Sequence, residues 1–205
     1  MTNETNSRER DGMFTARKMT VTAVMSAVAV LLMMLKFPVP LMPPFIKMDF
    51  GELPALITAY ALGPFHATLV CLIKNLANVL MTGTDSTGVG ELSNFLLGVC
   101  FVVPAGVVYR FMRDRQGAIV GSIVGALSMA MLSIPTNYFI IYPLYTVTTP
   151  MEVIMGAYQK INPSITNLFQ ALLIFNAPFT FIKGLSSALI CFMVYKRISQ
   201  LIKGK

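Results

Sequence analysis

Residues 168–195 read LFQALLIFNAPFTFIKGLSSALICFMVY, and the one charged side chain in that run is Lys183. An apolar run of about 20 residues suffices to cross a bilayer as a helix. A lone ammonium at that depth is costly and normally faces a polar cavity inside a bundle. A second run, residues 69–80, reads LVCLIKNLANVL and carries Lys74 in the same way. Asn75 and Asn78 follow Lys74 within one helical turn, and Asn176 and Thr180 precede Lys183. Glu91, Asn94 and Asn137 lie in or beside other apolar stretches. Anchoring helices need far less polarity, so the chain reads as an integral membrane protein with a polar pocket inside its bundle.

Composition agrees. With 55% hydrophobic and 12% charged residues and a mean hydropathy of +0.68, there is too little polar surface to coat a soluble globule, and the surroundings are membrane lipid. The 205 residues leave room for six spans with short loops. The net charge of +7 has its explanation in membrane topology rather than nucleic acid, since base-reading modules need soluble surfaces. Cys71, Cys100 and Cys191 fall inside apolar spans without CxxC spacing and read as packing residues, with no metal implied. His66 beside Gly63-Pro64 reads as a solvated or capping histidine at a turn, and one histidine builds no metal site.

The spans are expected at about 19–35, from about residue 49 to Leu62, then 65–81, 91–109, 118–142 and 168–195, the fifth interrupted by Pro135 and the second short or tilted. Pro38, Pro40, Pro43 and Pro44 stop the first helix and stiffen the loop Lys36 to Phe50. That loop is rich in Phe, Leu, Met and Ile, so it should fold back over protein or ligand. Met151 to Tyr158 reads as a short interfacial helix. The first apolar run has no small-residue cleavage site after it, which predicts a retained first helix. The expected organisation is a disordered cytoplasmic tail over 1–15, a six-helix membrane domain over 16–198 with its pocket near the extracellular side, and a cytoplasmic tail over 199–205. With both termini cytoplasmic, eleven of the sixteen basic side chains fall inside: Arg8, Arg10, Arg17, Lys18, Arg110, Arg113, Arg115, Lys196, Arg197, Lys203 and Lys205.

Lys183 is the strongest pocket candidate. Its alternatives are snorkelling or a structural ion pair with Glu91 or Glu52. Asn176, Thr180 and Lys183 share a helix face, and Pro178 frees a carbonyl one turn earlier. Lys74 and Asn78 form a second polar face that serves either a ligand or interhelical hydrogen bonds. Glu91 caps its helix, pairs with Lys74, or meets ligand beside Asn94. Asn137 can donate and accept at once, which suits an imide or lactam edge. Ala23 and Ala27 form a small-xxx-small step that lets a second helix approach, from this bundle or from a partner. The sequence contains no GxxxxGK[ST] phosphate loop, HExxH or GxSxG, so neither ATP hydrolysis nor other catalysis, nor a catalytic cofactor, is expected of it.

In order and spacing, several segments resemble the substrate-binding (S) subunits of energy-coupling-factor (ECF) vitamin transporters, and within them the riboflavin-specific branch. They are Phe37 to Pro40, Phe45 to Phe50, Leu53 to Leu56, Gly63-Pro64, Ile73 to Asn75, Val89 to Phe95, Pro178-Phe179 and Ile182 to Gly184. The resemblance implies a multi-pass subunit of the bacterial cell membrane with six helices and both termini cytoplasmic. It implies riboflavin as transported ligand, with other flavins as candidates, and an outer loop whose Phe45 and Ile46 pack over it. Asn137 and Lys183 would bond the polar ring edge, with Asn78, Asn94, Asn176 and Thr180 as further ligand-binding candidates. Ala23 and Ala27 would meet the transmembrane coupling subunit, and two ATPase subunits would supply hydrolysis. One departure concerns Thr180, where the family pattern has asparagine three residues before the lysine. Threonine cannot reproduce an amide's paired contact, and Asn176 is the residue placed to compensate. The competing readings are a subunit for another vitamin or precursor, a membrane enzyme using Glu91 with Lys74 or Lys183, and a structural or channel-like protein.

Overall fold

The computed structural model describes residues 14–83 and 88–203, with side chains described as far as Met193. The tail expected over 1–15 therefore lies outside the described residues up to Met13, as do part of the Gly/Thr loop at 84–87 and the last two residues. Arg8, Arg10 and Lys205, and the side chains of Lys196, Arg197 and Lys203, fall there too. Helix α1 spans Ala16–Met34, capped by Thr15, whose hydroxyl accepts from the Lys18 amide. The proline loop then makes a two-stranded antiparallel ribbon, β1 (Phe37–Pro38) against β2 (Lys47–Met48). Helix α2 (Glu52–Ala61) leads through Gly63 into α3 (Pro64–Thr82), and α4 (Val89–Phe111) and α5 (Arg115–Thr136) follow. After α5 come α6 (Tyr142–Tyr145), α7 (Met151–Gln159), α8 (Leu168–Ala171) and the long α9 (Ala177–Lys203).

Among the described residues five segments are long and apolar enough to cross a membrane: α1, α3, α4, Arg115–Tyr145 and Leu168–Met193. Helix α2 differs. Its ten residues rise about 15 Å, half the thickness of a bilayer's hydrocarbon core. Residues Pro54 to Tyr60 are all buried, so α2 is wrapped by the bundle rather than by lipid. By contrast Leu31, Leu76, Leu80, Phe139, Ile182 and Leu189 stand exposed, the outward apolar surface that lipid would cover. Gly63 makes the α2–α3 turn at φ 99°, in the region that favours glycine, and a Cβ there would lie 2.6 Å from the Arg110 guanidinium.

Inside lipid, helices gain little from the hydrophobic effect and associate through close packing. A Cβ on Gly121 would lie 2.7 Å from the Ala105 carbonyl oxygen, and one on Gly125 would lie 2.5 Å from that of Phe101. These glycines bring α5 into backbone contact with α4. Gly184, one residue past Lys183, does the same for α9 against Ala126. The core beneath is built from Leu56, Val70, Phe101, Val102 and Met129.

Two five-residue turns of wider, π-type helix interrupt the long segments, Asn137–Ile141 between α5 and α6 and Leu172–Asn176 between α8 and α9. Each ends two residues before a proline, Pro143 and Pro178. A proline has no N–H to close the ordinary i→i−4 bond and its ring crowds the i−4 carbonyl, so the turn ahead of it widens. Pro135, where the sequence suggested an interruption, sits inside continuous α5. One further expectation is corrected. His66 is buried, not solvated, and its Nδ1 lies 3.0 Å from the Thr22 hydroxyl, joining α3 to α1. The short helix expected over 151–158 is present as α7, and on it Ile154 and Tyr158 point inward and pack with Tyr142, Ile165, Leu172 and Phe175.

Candidate functional site

A cavity of about 590 Å³ opens at the end of the bundle where the proline loop and the 146–167 segment meet, a size typical of small-molecule sites. Asp49 and Lys183 reach its floor from a buried cluster of four charges that continues behind the wall to Glu52 and Lys74. Lys74 Nζ donates to Glu52 Oε1 at 2.7 Å, with both side chains fully enclosed. Lys183 Nζ donates to Asp49 Oδ2 at 2.8 Å and to Asn94 Oδ1 at 3.0 Å, with a longer contact of 3.3 Å to Glu52 Oε2. Two ammonium groups and two carboxylates leave the cluster neutral, which is how buried charge is tolerated. Asp49 sits on the loop just past β2. Burial alone would raise its carboxyl, but Lys183, Lys74 and the Gly51 amide outweigh that and hold it down to about 2. Gly51 has to be small: a Cβ there would lie 3.0 Å from Asp49 Oδ1 and 3.2 Å from Lys74 Nζ.

Of the candidate ligand residues, Phe45, Ile46, Asn94, Asn137, Asn176, Thr180 and Lys183 line the cavity. Asn78 does not. It is fully buried behind the wall, where its Nδ2 donates to Glu91 Oε1 at 3.2 Å. Glu91 lines the cavity, and its Oε2 has no hydrogen-bond partner among the described residues. The sequence-level pairings of Glu91 with Lys74 or Lys183 are thus replaced by Glu91–Asn78, while the Lys183–Glu52 contact is present. An acid–base pair of Glu91 with either lysine has no geometric support. Lys74 lies outside the cavity wall, committed to Glu52.

Both widened turns place an asparagine at the cavity. Asn137 opens the first, and its Nδ2 donates to the Ser133 carbonyl at 2.8 Å, turning the amide oxygen to other uses. Asn176 closes the second and is held by tyrosines. Tyr158 Oη donates to Asn176 Oδ1 at 2.7 Å, Asn176 Nδ2 reaches Tyr142 Oη at 3.5 Å, and the two phenols bond each other. Thr180 spends its hydroxyl on its own helix, donating to the Asn176 carbonyl at 2.9 Å. The Asn176 amide is therefore already engaged by Tyr158 and Tyr142. Over the opposite wall Phe45 packs edge-on to Tyr158 with centroids 5.8 Å apart, joining the proline loop to α7. Leu97, Met129, Ile141 and Phe179 complete the apolar walls.

Sequence reasoning missed Asp49, Tyr158 and the Gly121/Gly125 step. A signal for Asp49 was present, since two intramembrane lysines require two carboxylates and Asp49 and Glu52 are three residues apart. Nothing local marks Tyr158 as the partner that holds the cavity-lining Asn176. Ala23 and Ala27 are exposed on α1, while Thr22, Ser26, Ala29 and Val30 face the bundle, so the small step points away from this protein's own helices.

The family model for the ECF transporter, substrate-specific component, matches residues 17–195. The chain is 29% identical to riboflavin transporter RibU of Staphylococcus aureus (strain TCH60), over 97% of this chain and 98% of that protein. It is 32% identical to riboflavin transporter FmnP of Bacillus subtilis (strain 168), over 63% of this chain and 69% of that one. The solved structure of the S component of a bacterial ECF transporter matches with a TM-score of 0.71 at 28% identity, covering 91% of this chain and 98% of the other. With its apolar spans and a cavity lined by apolar walls and a few polar side chains, the chain belongs to the substrate-specific components of ECF transporters, multi-pass proteins of the bacterial membrane.

Proposed function

We propose that this chain captures riboflavin as the substrate-binding subunit of an ECF transporter, with the cavity as the vitamin site. The observation that carries this reading is the cavity's two-sided lining. Riboflavin offers an apolar fused ring, an imide edge and a polyol tail. The walls of Phe45, Ile46, Leu97, Met129 and Phe179 suit the ring, and Asn137, Asn94 and Lys183 gather the donors and acceptors an imide edge needs. Glu91 Oε2 is an acceptor in want of a hydroxyl. The names of the similar proteins, riboflavin transporters in both cases, support the same ligand.

The chain crosses the membrane six times in this reading, with α2 as the short crossing and both termini cytoplasmic. Helix α1 ends at the cavity, where Met33 and Lys36 line it, and α3 leads to Gly90 at the same end. Helix α2 must then carry the chain to the other end between them. The exposed Ala23 and Ala27 receive the transmembrane coupling subunit, and two ATPase subunits hydrolyse ATP for release inside. The test is the absorbance spectrum of the purified protein followed by riboflavin titration, read by loss of the vitamin's own fluorescence. Saturable one-to-one quenching is the expected result. Unaltered riboflavin fluorescence at micromolar protein would overturn the assignment of the vitamin while leaving the family intact.

A further inference from the structure

The proline loop does more than cover the cavity, because Asp49 near its end is fastened to the lysine in the cavity floor. Phe45, Ile46 and Lys47 line the cavity, Met48 pairs with Phe37 in the ribbon, and Asp49 follows directly. Both Asp49 oxygens are committed. Oδ1 accepts from the Gly51 amide at 2.8 Å, fixing the carboxylate on its own turn, and Oδ2 accepts from Lys183 at 2.8 Å, 134 residues away in sequence. A displacement of the ribbon thus reaches Lys183 through Asp49, the residue that directly follows β2, and one short charge-assisted bond. Of the three protons on Lys183, one is held by Asp49, one by Asn94, and the third faces Glu52 Oε2 at the longer 3.3 Å. The three N–H bonds of an ammonium turn as one unit, so Asp49 and Asn94 together set the direction of the third as well, and these partners decide where the Lys183 ammonium points.

We infer that Asp49 is a positioning residue that couples loop closure to ligand capture: it holds the Lys183 ammonium at the cavity wall and is itself held in place by it. The two halves of this linkage are reciprocal, as coupling between two sites must be. Loosening the loop misplaces the lysine, and removing the lysine frees the loop. In its binding half the inference rests on the riboflavin reading above. In its loop half it does not.

The experiment uses the full-length protein in detergent, with riboflavin as the probe. Asp49→Asn keeps a side-chain acceptor for the Gly51 amide but loses the charge, and is expected to weaken riboflavin binding by about tenfold, a change of about 1.4 kcal/mol. Asp49→Glu should recover part of that. In a Lys183→Gln background, adding Asp49→Asn should cost less than about twofold, because the partner through which it acts is gone. Independently of any vitamin, Lys183→Gln should speed amide hydrogen exchange across residues 36–50 by about tenfold or more. Equal effects of Asp49→Asn with and without Lys183, or unchanged exchange over 36–50 in Lys183→Gln, would overturn the coupling. If Asp49→Asn does not fold, Asp49→Glu is read by the same exchange measurement, with faster exchange expected and none counting against it. A wild-type protein that ignores riboflavin sinks the vitamin assignment alone, since the exchange arm still decides the linkage.

Discussion

Lys74 and Lys183 carry the same signal in sequence, one ammonium in an apolar run with asparagine nearby, yet they occupy different regions of the molecule. Lys74 is sealed behind the wall and bound to Glu52. Lys183 lies on the cavity surface, shared among Asp49, Asn94 and Glu52. The difference lies in the cavity: a charge with a fully enclosed partner holds helices together, whereas one at a wall can also meet a ligand. An intramembrane charge therefore marks a polar interior without saying which of the two tasks it performs.

Four substitutions separate the two lysines and their surroundings. Lys74→Met should do the most damage. It strands negative charge in the core, at a cost of about 3–5 kcal/mol for a broken buried pair. Little monodisperse protein and a much lower melting temperature are expected, and a variant that melts like wild type would mean the pair is dispensable. Lys183→Ala should fold better, because Asp49 borders the cavity and water can reach it, yet bind riboflavin about tenfold or more weakly, at least about 1.4 kcal/mol. Unchanged affinity in folded protein would remove Lys183 from the site.

Tyr158→Phe takes one hydroxyl from the ring of Tyr158, Tyr142 and Asn176 and leaves the packing intact. At about 1 kcal/mol for a net hydrogen bond, riboflavin affinity should fall about fivefold. A null effect would show that the Asn176 amide needs no such orientation. Ala23→Trp should leave the purified protein's riboflavin titration untouched while abolishing uptake in cells that contain the whole transporter. Normal uptake with the tryptophan in place would refute a partner on that face of α1.

Much of the architecture was legible because lipid imposes a simple rule: runs of about 20 apolar residues become helices whatever their neighbours. The five long segments and the inward fold of the proline loop follow from that rule and from proline geometry. Seven of the eight ligand candidates line the cavity, the polar ones because an amide, hydroxyl or ammonium in an apolar run turns inward to other polar groups, and Phe45 and Ile46 because an apolar loop folds back over the bundle. Asn78 defied that reasoning, since an amide can equally be used up by a neighbouring carboxylate, here Glu91. The 146–167 segment resisted for another reason. Its alternation of polar and apolar residues fits a membrane surface but does not mark which side chains turn inward, and that was set by long-range packing against Phe45, Tyr142 and Phe175.

By itself, then, the sequence determined the membrane class, the helical spans and the residue types from which a pocket had to be made, because transfer energies and backbone hydrogen bonding act locally along the chain. Which carboxylate answers which lysine, that Asn176 is already held by two tyrosines, and that Asp49 ties the outer loop to Lys183 were decided in the tertiary structure alone. Those are contacts between residues as far apart as 134 positions. Electrostatic and hydrogen-bond partners are chosen by proximity in space, and in this bundle glycine-mediated helix approach and two widened turns set that proximity.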